Sequence, residues 1–134
     1  MRSFLLQYVI AAVFFLAADF AWLSTMGPGF YRTELGGLMR EQPNFVVAIA
    51  FYLLFVAGLV VFVIHPAMMG ENLVRATLKG AFFGLVAYAT YDLTNLATMK
   101  GFNAKVAIVD MAWGTILSAA VCCVSIALLR RFAA

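Results

Sequence analysis

Four apolar stretches dominate this chain, at about residues 3–24, 45–64, 78–98 and 106–129. Each is close to the roughly 20 residues that a helix needs to cross a hydrocarbon core. In lipid every backbone N–H and C=O must find its partner inside the protein, so spans of this length fold as helices. The expected fold is all-α: a polytopic membrane protein built as a four-transmembrane-helix bundle, with residues 1–134 forming one domain. Composition agrees. Hydrophobic residues make up 66% of the 134 residues and charged residues 11%. Soluble domains carry roughly a quarter charged residues, and a soluble protein of this size has too little interior to hide so much apolar side chain.

The first span has some features of a secretory signal: Arg2, an apolar core, then Ala17-Ala18. Its apolar pattern continues through Trp22 and its match to a small-residue cleavage site is poor, so it reads as a retained helix. Between spans one and two, turn signals stand at Gly27-Pro28-Gly29 and at Gln42-Pro43-Asn44. Between them Phe30, Tyr31, Leu35, Leu38 and Met39 recur at helical spacing, which predicts a short helix lying in the interface. Gly36-Gly37 weakens that helix. Span two is expected to stop at His65-Pro66, and span four at Arg130-Arg131. The loop around Gly101 is short, which makes spans three and four antiparallel neighbours.

The net charge of +3 is small, and the basic residues sit at segment ends. Arg2, Arg75, Lys79, Arg130 and Arg131 fall on the side of the termini; Arg32, Arg40, Lys100 and Lys105 fall on the other. That slight excess favours cytoplasmic termini, and so slight a bias leaves dual topology open. The chain has no basic stripe with interleaved aromatics, so its partner is the lipid bilayer and not nucleic acid. Cys122 and Cys123 are adjacent on one helix, point in different directions and read as small packing residues. The single histidine, His65, cannot form a zinc site alone and reads as interfacial.

The acids are distributed unevenly. Glu34, Glu41 and Glu71 lie in loops, whereas Asp19, Asp92 and Asp110 lie in spans. Each aspartate costs roughly 2.5–3.5 kcal/mol at the centre of a membrane helix, so each is expected to face the bundle interior. Asp19 and Asp92 precede the ends of their spans and Asp110 follows the start of its own. At 1.5 Å per residue all three are about 7–12 Å deep. Because the spans alternate direction, all three fall in one leaflet, periplasmic on the favoured topology. On span three, Tyr88, Tyr91, Asp92 and Asn95 share a face at 100° per residue, and Ala81 and Gly84 extend it as a packing surface. Phe82, Val86, Leu93 and Leu96 occupy the opposite, lipid-facing side.

Asp19-Phe20-Ala21-Trp22 and Asp110-Met111-Ala112-Trp113 repeat the pattern D-x-A-W, with each Trp on the same side of its helix as its Asp. Each indole N–H can donate to polar groups nearby; the plainer reading of the tryptophans is an interfacial aromatic belt. Carboxylates crowded in low dielectric need compensation. Protons can be shared among them. A cation can sit between them, with oxygen-only ligands suiting Mg²⁺, Ca²⁺ or Mn²⁺; the metal ligands would be Asp19, Asp92 and Asp110. Alternatively Arg32, Lys100 or Lys105 can fold over the site.

Asp19-x-x-Trp22-Leu23, Phe30-Tyr31-Arg32, Phe51-Tyr52, Tyr88-Ala-Thr-Tyr91-Asp92-Leu-Thr94-Asn95 and Asp110-x-x-Trp113-Gly114 together resemble a bacterial family of predicted membrane proteins, domain of unknown function 2177. The resemblance covers nearly the whole chain, and Tyr91-Asp92-Leu93-Thr94-Asn95 is its most specific part. It implies an inner-membrane protein of about four helices and no settled activity. Three readings follow. The first is a binding or transport protein in which Asp19, Asp92, Asp110, Tyr88, Tyr91 and Asn95, with Trp22, Trp113 and Arg32, hold a proton, a cation or a lipid head group. The second is a small enzyme of lipid modification, using carboxylates as acid and base. The third is a structural or assembly subunit of a larger membrane complex; a homodimer belongs to the first reading, by analogy with small dimeric transporters. Interhelical hydrogen bonds average only about 0.6 kcal/mol, so three aspartates are excessive for cement. Any cofactor is left unidentified by the sequence, and the first reading is preferred.

Overall fold

A computed structural model describes residues 2–40, 42 and 44–132 of the chain. Glu41, Pro43 and the side chain of Arg2 lie outside the described residues, and with them the expected Gln42-Pro43-Asn44 turn. The described residues are helical almost throughout and contain no strand. In chain order come α1 (Arg2–Met26), a π-helical turn (Gly27–Tyr31), α2 (Arg32–Leu35), a 3₁₀ turn (Gly36–Leu38) and α3 (Phe45–Leu59). A second π-helical turn (Val60–Ile64), α4 (His65–Met68), α5 (Leu73–Thr98) and α6 (Ala104–Phe132) complete the chain.

Two expected breaks are absent, both at prolines. The chain does not turn at Gly27-Pro28-Gly29. It stays helical, and the Arg32 N–H reaches back to the Gly27 carbonyl. Proline lacks an N–H, and its ring crowds the carbonyl one turn back. A wider π turn makes room for it. The segment expected as a separate interfacial helix is therefore the continuation of α1, and Phe4–Leu38 is one helical path. It docks on the start of α6: Asn103 Nδ2 donates to the Glu34 carbonyl (3.3 Å) and to Glu34 Oε1 (3.2 Å). In the same way the helix does not stop at His65-Pro66. A π turn precedes Pro66, the His65 N–H bonds the Val60 carbonyl, and the helix runs on to Met68.

Helix starts are set by asparagines whose side chains accept orphan N–H groups. Asn44 Oδ1 accepts from the Val47 N–H (3.2 Å), Asn72 Oδ1 from those of Val74 (2.7 Å) and Arg75 (3.2 Å), and Asn103 Oδ1 from that of Val106 (2.9 Å). The Asn72 cap starts α5 at Leu73, earlier than the apolar pattern alone suggested.

Three helical paths are long and apolar enough to cross a membrane: Phe4–Leu38, Phe45–Met68 and Ala104–Phe132. The 26 residues of α5 give a length of about 39 Å, but Arg75, Lys79 and Asp92 make it less apolar. Its polar centre is covered by α6. Ala76, Gly80, Gly84 and Asp92 are the buried residues of α5, the first three one turn apart and Asp92 two turns further on. Gly114, Ser118 and Cys122 form the matching row on α6. A Cβ on Gly80 would lie 2.8 Å from Cys122 Sγ, one on Gly84 would collide with the Gly114 carbonyl and Ser118, and one on Gly114 would strike the Tyr88 ring. The three glycines are what lets these helices close. Gly80 and Ala76 thus carry the packing face that was assigned to Ala81, which is only half-buried. Phe82, Val86, Leu93 and Leu96 are exposed, as expected of the lipid side.

A core of Phe15, Phe55, Leu59, Ile64, Leu117 and Ile126 joins α1, the second span and α6. At one end of the bundle the start of α1 meets the end of the second span, where His65 Nδ1 and Gln7 Oε1 lie 3.2 Å apart. The end of α6 is there too: Arg130 donates to the carbonyls of Ala67 (2.9 Å) and Glu71. α1 and α6 are therefore antiparallel, and the late residues of α1 meet the early residues of α6 at the opposite end.

Candidate functional site

That opposite end holds all three aspartates. Asp19 is buried near the end of α1, and its Oδ1 accepts the Trp113 indole N–H at 3.0 Å. Asp110 lies on the first turns of α6, and its Oδ1 accepts the Tyr31 hydroxyl at 2.9 Å. Tyr31 in turn accepts the Trp22 indole N–H at 3.0 Å. The two indoles stack, with ring centroids 4.3 Å apart and planes within 5°. Among the described residues neither Asp19 Oδ2 nor Asp110 Oδ2 receives a hydrogen bond from the protein.

Asp92 sits one layer behind. Its exposure is 0%, and neither oxygen has a hydrogen-bond partner among the described groups. Asp110 is the acidic group that neighbours it. The spacing that puts Asp92 on the inner face of α5 is the row of small residues: Gly80 and Gly84 draw α6 in, and Asp92 follows two turns later on the same ridge.

In front of Asp19 and Asp110 is a cavity of about 310 Å³. Rings form most of its walls: Trp22, Tyr31, Tyr52, Tyr88 and Trp113. It continues between α3 and α5, where Ala48, Phe51, Ala87 and Tyr91 line it. Phe51 (44% exposed) and Tyr91 (59%) reach the apolar flank of the molecule there. Further along, α5 meets the second span at the π-helical turn Val60–Ile64 and through Phe83, whose ring packs on Gly58 and Phe55. A larger groove, about 1310 Å³, runs along the outside of the same two helices past Phe62, Leu78 and Phe82. It is apolar along most of its length, carries Glu71, Arg75 and Lys79 at one end, and contains none of the aspartates.

Of the residues singled out in the sequence, Asp19, Asp110, Tyr88, Tyr91, Trp22 and Trp113 line the cavity. Asn95 does not; it faces a separate recess with Leu35, Met99 and Phe102. Tyr91 borders both, at the edge of the α5 face and not at its centre. Arg32 is exposed and lies off the cavity. No Lys or Arg among the described residues pairs with Asp19, Asp92 or Asp110. Lys105 instead faces Glu34 at 3.7 Å, and Lys100 is exposed. Long cationic stems at helix ends carry their charge outward to water, not back over a buried carboxylate. Among the described residues no three His, Cys, Asp or Glu side chains converge as metal ligands. The stacked indoles pull Asp19 to Trp113, while Asp92 and Asp110 adjoin each other.

Tyr31 and Tyr52 were not picked out as site residues. From the sequence Tyr31 belongs to the expected interfacial helix, which the continuous helix through Pro28 replaces. Tyr52 is the one polar-tipped side chain in FVVAIAFYLLFVAGL, and that isolation within an otherwise apolar helix was the available signal. Its ring lies 5.5 Å from Phe15, and it lines the cavity together with Asp19.

No curated protein and no solved structure shows a significant match to this chain. Residues 4–127 match the family described as predicted membrane protein (DUF2177). With nearly its whole length matched and its helices apolar enough for a bilayer, the chain belongs to that family.

Proposed function

We propose that this protein binds a polar ligand within the bacterial inner membrane, in a transport-type role, at the cavity bounded by Asp19 and Asp110. The ligand is a proton, a cation or a polar lipid head group. One observation carries the reading: two inward-facing carboxyls share a cavity of about 310 Å³, and no Lys or Arg among the described residues pairs with either. Each carboxyl keeps one oxygen bound by an aromatic donor and the other without a protein donor. Fixed acceptors of this kind hold a ligand in place without having to reorganise first. Asp92 supports Asp110 from behind. The chain acts as a single four-span domain, with α5 as the third span and both termini in the cytoplasm. The cavity is then in the periplasmic half.

Native mass spectrometry with elemental analysis tests this on gently purified protein beside Asp19→Asn and Asp110→Asn. Asparagine keeps the oxygen that Trp113 or Tyr31 bonds and removes only the charge. A stoichiometric species present in the wild type and lost from both variants is expected. A species retained equally by all three proteins would locate binding elsewhere and end this reading.

A further inference from the structure

We infer that the ligand is an organic ammonium ion, its charge met by Asp19 and Asp110 and its alkyl groups lying against the surrounding ring faces. The inference rests on the binding role proposed above and narrows it to one chemistry.

Three features of the cavity point the same way. The first is its wall. Two carboxyls stand among Trp22, Tyr31, Tyr52, Tyr88 and Trp113. Aromatic faces attract cations, and cages of them favour alkylated ammonium groups, whose weak hydration makes burial inexpensive. The second is size. A water molecule takes about 30 Å³ of liquid volume, so 310 Å³ is far more than a bare ion fills. It lies instead at the lower end of the roughly 300–1,000 Å³ typical of small-molecule pockets. The third is what the walls can donate to. Hard metal ions want about six oxygen ligands, whereas most of this lining is ring carbon, and no three-ligand metal cluster occurs among the described residues. An anionic group is disfavoured as well, because no Lys or Arg lines the cavity.

The way in suits an amphiphile. The cavity reaches the apolar flank between α3 and α5, past Ala48, Phe51 and Tyr91. A molecule with an amine at one end and a hydrocarbon chain at the other can enter sideways from the bilayer and leave its chain in lipid. That chemistry has two sources: the amine of a phospholipid head group, or a free lipophilic amine.

Tryptophan fluorescence reads the site directly, because the chain has two tryptophans and both line the cavity. The full-length protein in a neutral detergent is titrated with choline, with dodecyltrimethylammonium, and separately with sodium, potassium and magnesium chlorides. Saturable change with the ammonium compounds is expected, together with at least a tenfold weaker Kd in Asp19→Asn and in Asp110→Asn. Ala48→Leu, which fills the opening between α3 and α5 and touches neither carboxyl, is expected to weaken dodecyltrimethylammonium by a similar factor. It keeps the test decisive if a charge variant fails to fold. A saturable, aspartate-dependent response to an inorganic cation with none to the amines overturns this inference and leaves the binding site standing. No saturable response to any probe overturns both. The source is read in nanodiscs: phosphatidylethanolamine that competes with the probe where phosphatidylglycerol does not identifies a head group. Equal indifference to the two lipids identifies a free amine.

Discussion

Trp113 on α6 donates its indole N–H to Asp19 on α1 across 3.0 Å, and the return contact runs through a third residue. Trp22 bonds Tyr31, and Tyr31 bonds Asp110. The two D-x-A-W motifs therefore serve each other, each tryptophan reaching the aspartate of the opposite helix. Antiparallel helices place the two copies head to tail, and the stacked indoles lie where they meet. What reads along the chain as repeated chemistry is, in space, one reciprocal clamp.

The clamp is unequal, and that is measurable. Trp113→Phe removes a donor from a carboxylate directly, a loss of roughly 1.5–3 kcal/mol for a hydrogen bond to a charged group. Trp22→Phe removes a donor from a phenol, roughly 0.5–1.5 kcal/mol, and leaves Tyr31 bonded to Asp110. Both lose the same ring area, so the difference isolates the hydrogen bonds. Chemical unfolding in mixed micelles should rank Trp113→Phe as the more costly. Equal costs would mean that the bond to Asp19 is worth no more than the bond to Tyr31.

The α5–α6 contact rests on glycine. A Cβ at Gly84 meets the Gly114 carbonyl and Ser118, and a Cβ at Gly114 meets the Tyr88 ring, whereas a Cβ at Gly37 has open space. Gly84→Ala and Gly114→Ala are expected to cost about 1–3 kcal/mol each by overpacking, and Gly37→Ala within about 0.5 kcal/mol of nothing, as for surface changes generally. Gly114→Ala should also move Tyr88 and so change the cavity. Thermal melting of the three variants in detergent decides it; an unchanged midpoint for Gly84→Ala would show that the helices stand further apart than described.

Much of this architecture was legible because lipid leaves few choices. Span length, the inward aspartates and the outward Phe82, Val86, Leu93 and Leu96 all follow from the cost of polar groups in hydrocarbon. What was not legible turns on local geometry. Pro28 and Pro66 look like terminators, but a π turn absorbs each, and nothing in the residue types alone distinguishes an absorbed proline from a breaking one. That error hid Tyr31, which reaches Asp110 only because α1 continues. Tyr52 was hidden for another reason: a tyrosine in an apolar run passes as hydrophobic until its hydroxyl is given a partner. Arg32 and Asn95 were included because charge and amide suggested a site, and helix phase alone could not show that both point away from it.

Orientation is decided by a small margin. Arg75, Lys79, Arg130 and Arg131 stand with Arg2 on one side, against Arg32, Arg40, Lys100 and Lys105 on the other. Under the positive-inside rule this margin favours the cytoplasmic termini proposed above. In a background with Cys122 and Cys123 replaced by alanine, Lys100→Cys is expected to react with a membrane-impermeant maleimide from the periplasm. Phe132→Cys is expected to react only after lysis. Labelling of both from outside in intact cells would establish dual topology.

Asp92 separates a functional acid from structural cement. It is fully buried, neither oxygen has a partner among the described groups, and Asp110 is its neighbour. A buried polar group left unsatisfied costs about 1–3 kcal/mol. Asparagine has nearly the same shape, carries no charge and offers Asp110 an N–H. Asp92→Asn is therefore expected to be as abundant as the wild type and to gain about 1 kcal/mol in unfolding free energy. Its effect should appear instead at the cavity, as altered ligand affinity transmitted through Asp110. Asp92→Leu tests the same point from the other side: it satisfies the burial but gives Asp110 no partner, and is expected to fold with ligand binding impaired. Quantitative expression and unfolding midpoints measure the first effect, and fluorescence titration the second. A fall of more than about 1 kcal/mol in Asp92→Asn, the size of a lost buried hydrogen bond, with binding untouched, would make Asp92 a structural residue.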